Sequence, residues 1–384
     1  MRTVKIAKVI LSIATILALL VLFGCTKAVA REDTIKSTTE TAAETTAAVE
    51  TTQATVAADW WKAPASGQIK SDDLPEPDKN AGPFVIAFAN NDTVLEFCVD
   101  VWKGVEEAAK QYPNIKVSLF DCGNSADSSL KAVLDIQTLN PDLVAYFNWV
   151  GAGQEMAKWC TENKKPEIEV DVPYNTDAWF YGVNNPMTGQ LGGEKMGEWV
   201  KANWPGEDVW IIQNTEYQSG EDVYLRNSEF LRVFQETVGD SVKIVNLKAD
   251  GKVDELNGDT DPQLCVQLFS EWLTANPKAD HMVIWSLNDE GASGFYAAAK
   301  NQNRLENCIF GGIGGTSYAF NIALADKRFL GSVGVFPELY GVGVLKAAML
   351  ILTGHSQEVP KTIVTKYDWI TLDNLKQYYP KYYE

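Results

Sequence analysis

The chain has 384 residues, a formal net charge of −18 and only 2 histidines. So acidic a chain is a poor partner for nucleic acid or anionic lipid, and two histidines leave little for Ser-His-Asp or Cys-His catalysis. No HExxH, G-x-S-x-G or GxxxxGK[ST] run is present and "GGIGGTS" misses the G-x-G-x-x-G spacing, so no enzyme is expected. A glycosidase, which needs only two carboxylates, stays open on motif grounds alone.

At the start of the chain, Arg2, Lys5 and Lys8 precede an acid-free apolar core, Val9 to Phe23, the layout of an export signal. That core is shorter than the roughly 20 residues a membrane-crossing helix needs. Leu22-Phe23-Gly24-Cys25 resembles a bacterial lipobox. By that resemblance residues 1–24 are a signal peptide that is removed, and the Cys25 thiol carries a diacylglycerol. Two acyl chains suffice for stable anchoring, so the mature protein is expected on the extracytoplasmic face of the cell membrane without spanning it. The bland alternative is a conventional secreted protein. Losing Arg2, Lys5 and Lys8 takes the charge from −18 to −21. Residues 40–58 hold only Thr, Ala, Glu, Val and Gln, with nothing large to bury, and residues 25–81 are read as a lipid-anchored flexible linker.

From residue 82 the pattern changes. "FVIAFA" reads as a strand, Phe97 to Tyr112 as a helix, "IKVSLF" as a strand, "SSLKAVLDIQTL" as a helix, "LVAYF" as a strand, "GQEMAKWCTEN" as a helix and "EIEV" as a strand. The alternation then restarts, with helices at "TGQLGGEKMGEWVKANW", "NSEFLRVFQETV", "QLCVQLFSEWLTA" and "SGFYAAAKNQ" interleaved with strands "DVWIIQ", "VKIVNL", "HMVIWS" and "CIFGGI". Right-handed βαβ crossovers make each half a parallel sheet. Two doubly wound α/β lobes would place the carboxyl ends of their strands across one cleft. Cys98, Cys122, Cys160, Cys265 and Cys308 are scattered, reading as buried thiols with room for one disulfide at most.

Four stretches carry a family resemblance: "GVNNPMTGQLGGEKMGEWV", "LRNSEFLRVFQE", "WSLNDEGASGFYAAAK" and "GGIGGTSYAFNIALADKRFLGSVGVFPELYGVGVLKAAMLILTG". In order and spacing, residues 84–381 resemble a type I periplasmic sugar-binding protein of the ribose- and galactose-binding group, whose fold LacI-type repressor cores share. The resemblance implies a three-strand hinge, an N-terminal lobe of 82–183 plus 336–366, and a C-terminal lobe of 184–335 plus 367–384. It also implies hinge closure over a ligand.

Carried over position by position, the resemblance gives ligand-binding residues Phe97, Asn148, Trp149, Asp171, Arg226 and Asn288. A carboxylate, a guanidinium and amides suit vicinal hydroxyls, and aromatic faces suit C–H surfaces. Trp149, Trp179, Phe180 and Trp285 are the candidate stacking platforms, Trp149 foremost; the competing reading for each is core filling. For Arg226 the competing reading is a surface ion pair, and for Asp171 a turn cap. Val172, Gly314 and Val335 stand where many sugar binders have polar residues, which leaves space for a larger or less hydroxylated ligand. "NGDTD" places Asn257, Asp259 and Asp261 at alternate positions like a calcium loop, but Pro262 sits where the turn glycine belongs, and no metal is expected. Nor is a cofactor. The export signal, the charge and the missing helix-turn-helix exclude a DNA-binding repressor. The expected role is the solute-binding lipoprotein of an ABC importer, a monomer with a permease and an ATPase as partners and a sugar or polyol as ligand. The rivals are a sensor feeding a chemoreceptor or histidine kinase, and a binder of a nucleoside or autoinducer.

Overall fold

The computed structural model describes residues 69–175 and 177–383. The export signal, Cys25 and the Thr/Ala/Glu tract lie outside the described residues.

The tether expected to run to residue 81 gives way earlier. β1 (Ile69–Lys70) already pairs in parallel with a distant strand, and Leu74 is buried in the core. The chain then runs β2 (Phe84–Asn90), α1 (Glu96–Ala109), β3 (Ile115–Asp121), α2 (Ala126–Leu139), β4 (Leu143–Phe147), α3 (Gly153–Glu162), β5 (Glu167–Val170) and β6 (Trp179–Gly182). A second series follows: α4 (Asn185–Asn203), β7 (Asp208–Asn214), α5 (Gly220–Val238), β8 (Lys243–Ile244), β9 (Asp254–Leu256), α6 (Pro262–Ala275), β10 (Met282–Ser286), α7 (Asp289–Asn301), β11 (Cys308–Gly314), α8 (Ser317–Ala325) and β12 (Phe329–Gly334). α9 (Tyr340–Leu352), β13 (Thr362–Val364), β14 (Asp368–Ile370) and α10 (Leu372–Tyr378) complete it.

These strands form two sheets. The first has the order β1-β13-β6-β5-β4-β2-β3 and is parallel throughout. The second runs β14-β12-β11-β10-β7-β8, with β9 also on β7 and only β14 antiparallel. Central strands are wholly buried, as in β4, β10 and β11, because helices cover both faces. Among the described residues the chain passes between the sheets three times, after β6, after β12 and between β13 and β14.

Three expectations shift. The strand expected at "VKIVNL" shrinks to Lys243–Ile244, because the Asn246 side chain takes over the edge of β7: its Oδ1 accepts from Ile211 N–H at 3.0 Å and its Nδ2 donates to Ile211 C=O at 2.7 Å. α5 begins at Gly220 rather than Asn227, with Glu221 and Asp222 favourably placed in its first turn. α7 begins at Asp289, capped by Asn288. The five cysteines of the described residues are all buried and unpaired, so the disulfide left open by the sequence does not form among them.

Candidate functional site

A cavity opens between the carboxyl ends of the two sheets. It is lined by residues that follow β2, β4, β5, β7, β9 and β10, by Ile313 and Gly314 at the end of β11, and by Val335 at the second passage between sheets. Its interior is narrow, with a cavity volume of about 80 Å³. That is well below the roughly 300–1,000 Å³ of typical ligand clefts, so the sheets stand close together around it.

Asp171 follows β5 with φ +60°, a left-handed turn that aspartate tolerates better than most residues. Its Oδ1 accepts from Val183 N–H at 2.9 Å, on the first passage between sheets, and both carboxylate oxygens face the Tyr340 hydroxyl at 3.0–3.1 Å. A Cβ at Gly182 would lie 2.6 Å from that Oδ1, so only glycine leaves the carboxylate its place. Burial pushes the carboxyl up to about 6, while the Val183 N–H, Arg226 and Tyr340 pull it down. Tyr340, on α9, also presses edge-on against Phe97 at 5.8 Å, so the returning chain fixes the acid and the aromatic wall together.

Arg226 projects from the second turn of α5. Its Nε donates to Asn185 Oδ1 at 2.7 Å and its Nη1 to Leu287 C=O at 3.0 Å, which pins the guanidinium plane against the cavity. Among the described residues it is the only basic side chain lining the cavity. Trp149 is set by its N–H, which donates to Asn91 Oδ1 at 3.2 Å, and by a T-shaped contact with Phe147 at 5.4 Å. Asn288 also lines the cavity, but its Oδ1 accepts from Gly291 N–H at 2.7 Å and its Nδ2 donates to Asp259 C=O at 3.1 Å. Much of that amide therefore serves as helix cap and loop clamp.

Five of the six residues expected from the sequence thus meet at one cavity: Phe97, Trp149, Asp171, Arg226 and Asn288. Asn148 does not reach it. Fully buried, it donates to Ser129 Oγ, the Tyr146 hydroxyl and Gly151 C=O at 2.9–3.0 Å and accepts from Val150 N–H, a local brace for the turn that presents Trp149. Three of the four aromatic platforms also lie elsewhere. Trp285 stacks on Phe230 at 4.4 Å and donates to Arg226 C=O, beneath the site rather than in it. Trp179 donates to Val359 C=O with Lys361 over its ring, and Phe180 is buried in the first sheet.

Sequence reasoning missed Glu216, Ser219, Thr260 and Glu290, which line the same cavity. Glu290 follows Asn288 and Asp289 directly, and Glu216 follows β7 as Asp171 follows β5, so strand-end position was the available signal. Asp289 takes no part. It is fully buried, and Gly315 N–H, Thr316 N–H and Ser332 Oγ donate to it at 2.7–2.9 Å, fixing the turn after β11. Val172, Gly314 and Val335 do line the cavity, giving it a largely apolar wall with Leu95 and Ile313.

Across the mouth, Glu96 of α1 accepts from Ser317 N–H at 2.9 Å and from Ser317 Oγ at 2.5 Å, tying the helices of the two sheets together. The NGDTD loop is occupied by its own backbone: Asn257 accepts from Tyr217 N–H at 3.0 Å, and Asp261 caps α6 through Gln263 N–H at 2.8 Å. Among the described residues no cluster of three His, Cys, Asp or Glu side chains is placed to hold a metal ion, and no helix is long and apolar enough to cross a membrane.

The family described as "Periplasmic binding protein domain" matches residues 86–356, well over half of the chain. The chain belongs to that family. It is a family of extracytoplasmic solute-binding proteins rather than enzymes. No curated protein matches the sequence. Among solved structures, an ABC transporter solute-binding protein from Bacillus halodurans with bound myo-inositol is 19% identical, covers 79% of this chain and 99% of its own, and has a TM-score of 0.65. One from Actinobacillus succinogenes with bound D-allose is 19% identical with coverages of 77% and 99% and a TM-score of 0.64. The fructose-binding periplasmic domain of a hybrid two-component system is 19% identical with coverages of 78% and 94% and a TM-score of 0.66. These likenesses establish that this periplasmic binding protein shares its fold with all three.

Proposed function

We propose that this protein is a lipid-anchored receptor that captures a sugar or sugar-like polyol between its two lobes and delivers it to an ABC importer. The first lobe is 82–183 plus 336–366 with β1 and Leu74 added to it, and the second is 184–335 plus 367–384. The supporting observation is the convergence of Asp171, Arg226 and the Trp149 and Phe97 rings on one cavity at the sheet ends. A carboxylate, a pinned guanidinium and aromatic faces together recognise a ring of hydroxyls and its C–H surface. The anchor is Cys25, and a permease and an ATPase are the partners.

Ligand binding is tested by thermal and calorimetric titration of the mature protein against sugars, polyols, nucleosides and amino acids. A ligand at 100 times its dissociation constant stabilises the fold by about 2.7 kcal/mol. Loss of a sugar's effect in Asp171→Ala and Arg226→Ala supports the reading, and a response to nucleosides or amino acids alone refutes the ligand class. Cys25→Ser should release the protein from membranes and abolish labelled palmitate incorporation.

The likeness to a two-component receptor domain favours a second reading, a sensor. Deleting the protein should abolish cellular uptake of the labelled ligand if it serves an importer. In a sensor, uptake survives and only the transcriptional response is lost.

A further inference from the structure

The cavity holds more acid than its partners can balance. Asp171 enters from the first sheet, and Glu216 and Glu290 from the second; among the described residues Arg226 is the only basic one in the lining, and two of its nitrogens are already committed to Asn185 and Leu287. Glu290 is 6% exposed, lines the cavity and receives no hydrogen bond from any other described residue. The charged groups acting on it are Asp289 from its own helix, Glu96 from across the mouth and Arg226 from α5. Glu216, 7% exposed, has Asp259, Ser219 and Arg226 around it. Bringing the sheets together therefore gathers like charges at the ligand's position. Desolvated carboxylates need either protons or a cation.

We propose that the solute carried here bears a protonated amine, an aminated sugar or polyol whose ammonium is received by Glu290 while Arg226 and Asp171 hold its hydroxyls. This rests on the sugar-receptor reading above and narrows it. An ammonium offers three donors to a carboxylate whose only other donor is its own backbone N–H, and it offsets the repulsion that an ionised Glu290 meets from Asp289 and Glu96. A neutral sugar supplies only hydroxyls and leaves Glu290 protonated, with no charge to pair.

The chemistry gives a readout independent of affinity. Burial, then Asp289, pushes the Glu290 carboxyl up to about 8, so the empty site holds a proton at pH 7. Receiving an ammonium requires the carboxylate, and the proton leaves to buffer.

The test uses the mature protein and a panel of matched triads: hexoses, pentoses and inositols, each with its amino and N-acetylamino counterpart. Calorimetry at pH 7 in two buffers of different ionisation enthalpy counts the protons released. An amino member binding on the order of ten-fold or more above its neutral and acetylated partners, with close to one proton released, supports the proposal. Glu290→Gln should then remove both the preference for the amino member and the proton release. The proton count on the unaltered protein stands even where that variant folds poorly. A neutral or acetylated member binding as well, with no proton released, overturns the amine and keeps the sugar receptor. Silence across all triads overturns both.

Discussion

Replacing Glu169 by glutamine should stabilise the protein at neutral and alkaline pH and leave it unchanged in acid. Glu169 and Glu167 lie on one face of β5, 1% and 3% exposed, and both Glu167 oxygens and Glu169 Oε1 lack a hydrogen-bond partner. Burial, and then the charge of Glu167, pushes the Glu169 carboxyl from 4.5 up to about 9. Between those values the folded protein keeps a proton that the unfolded chain releases, so stability is greatest in acid and falls as pH rises through this window. At 1.36 kcal/mol per pH unit the loss between pH 4.5 and 7 is about 3 kcal/mol, and it grows up to pH 9. Glutamine keeps an oxygen for the Tyr174 N–H, now 2.9 Å from Oε2, and has no proton to lose. Urea unfolding at pH 4 and pH 8 should therefore show the variant equal to the parent in acid and more stable by about 3 kcal/mol or more at pH 8. Some slope should remain from Glu167, which burial pushes up to about 7. Parallel stability curves for parent and variant, or a variant weaker at pH 8, would refute the reasoning.

Three further outcomes follow from the same geometry. Asn148→Ala should cost about 2 kcal/mol or more of stability, because it strips four hydrogen bonds from a buried turn, yet ligand affinity measured below the melting range should move little; a large affinity loss at unchanged stability contradicts this. Ser317→Ala, which removes one bond to Glu96 across the mouth, should weaken ligand binding by roughly ten-fold and enlarge the radius of gyration in X-ray scattering. An unchanged radius and affinity would mean the contact does not hold the lobes together. Tyr340→Phe removes a hydroxyl from Asp171 and should raise the pH below which ligand is lost, read from binding between pH 5 and 7; an unchanged profile counts against Asp171 as the titrating group.

The βα alternation was legible because central strands such as β4 and β10 are apolar runs and helices such as α1 and α5 carry one apolar stripe. α9 was not, since Val344 to Ile351 are buried without interruption and a helix covered all round shows no 3.6 period. "EIEV" alternates like a half-exposed strand, and only the long-range packing of Tyr146, Cys160 and Tyr174 around it explains two buried glutamates. Asp171 and Arg226 could be placed by resemblance because both stand where strands end or helices start. Asn148 occupies such a position too, yet Ser129, nineteen residues away in sequence, claims its amide. Nothing in the local sequence distinguishes an asparagine aimed at a ligand from one aimed at the preceding helix.

α4 meets α5 along Gly189 and Gly193 with backbone against backbone: a Cβ at Gly189 would fall 2.5 Å from Arg226 C=O, and one at Gly193 2.4 Å from Phe230 C=O. Trp285, held to the same carbonyl of Arg226, closes the other side. The guanidinium therefore cannot be moved alone. A methyl group added at residue 189, which does not line the cavity, must push the whole first half of α5 outward, carrying Arg226, Val223 and Ser219 with it. The width of the solute's berth is set by the absence of side chains one helix away, so Gly189→Ala should change which ring sizes are accepted before it changes which hydroxyls are recognised; a variant with the parent's ranking of pentoses and hexoses would show that α5 gives way without moving its arginine.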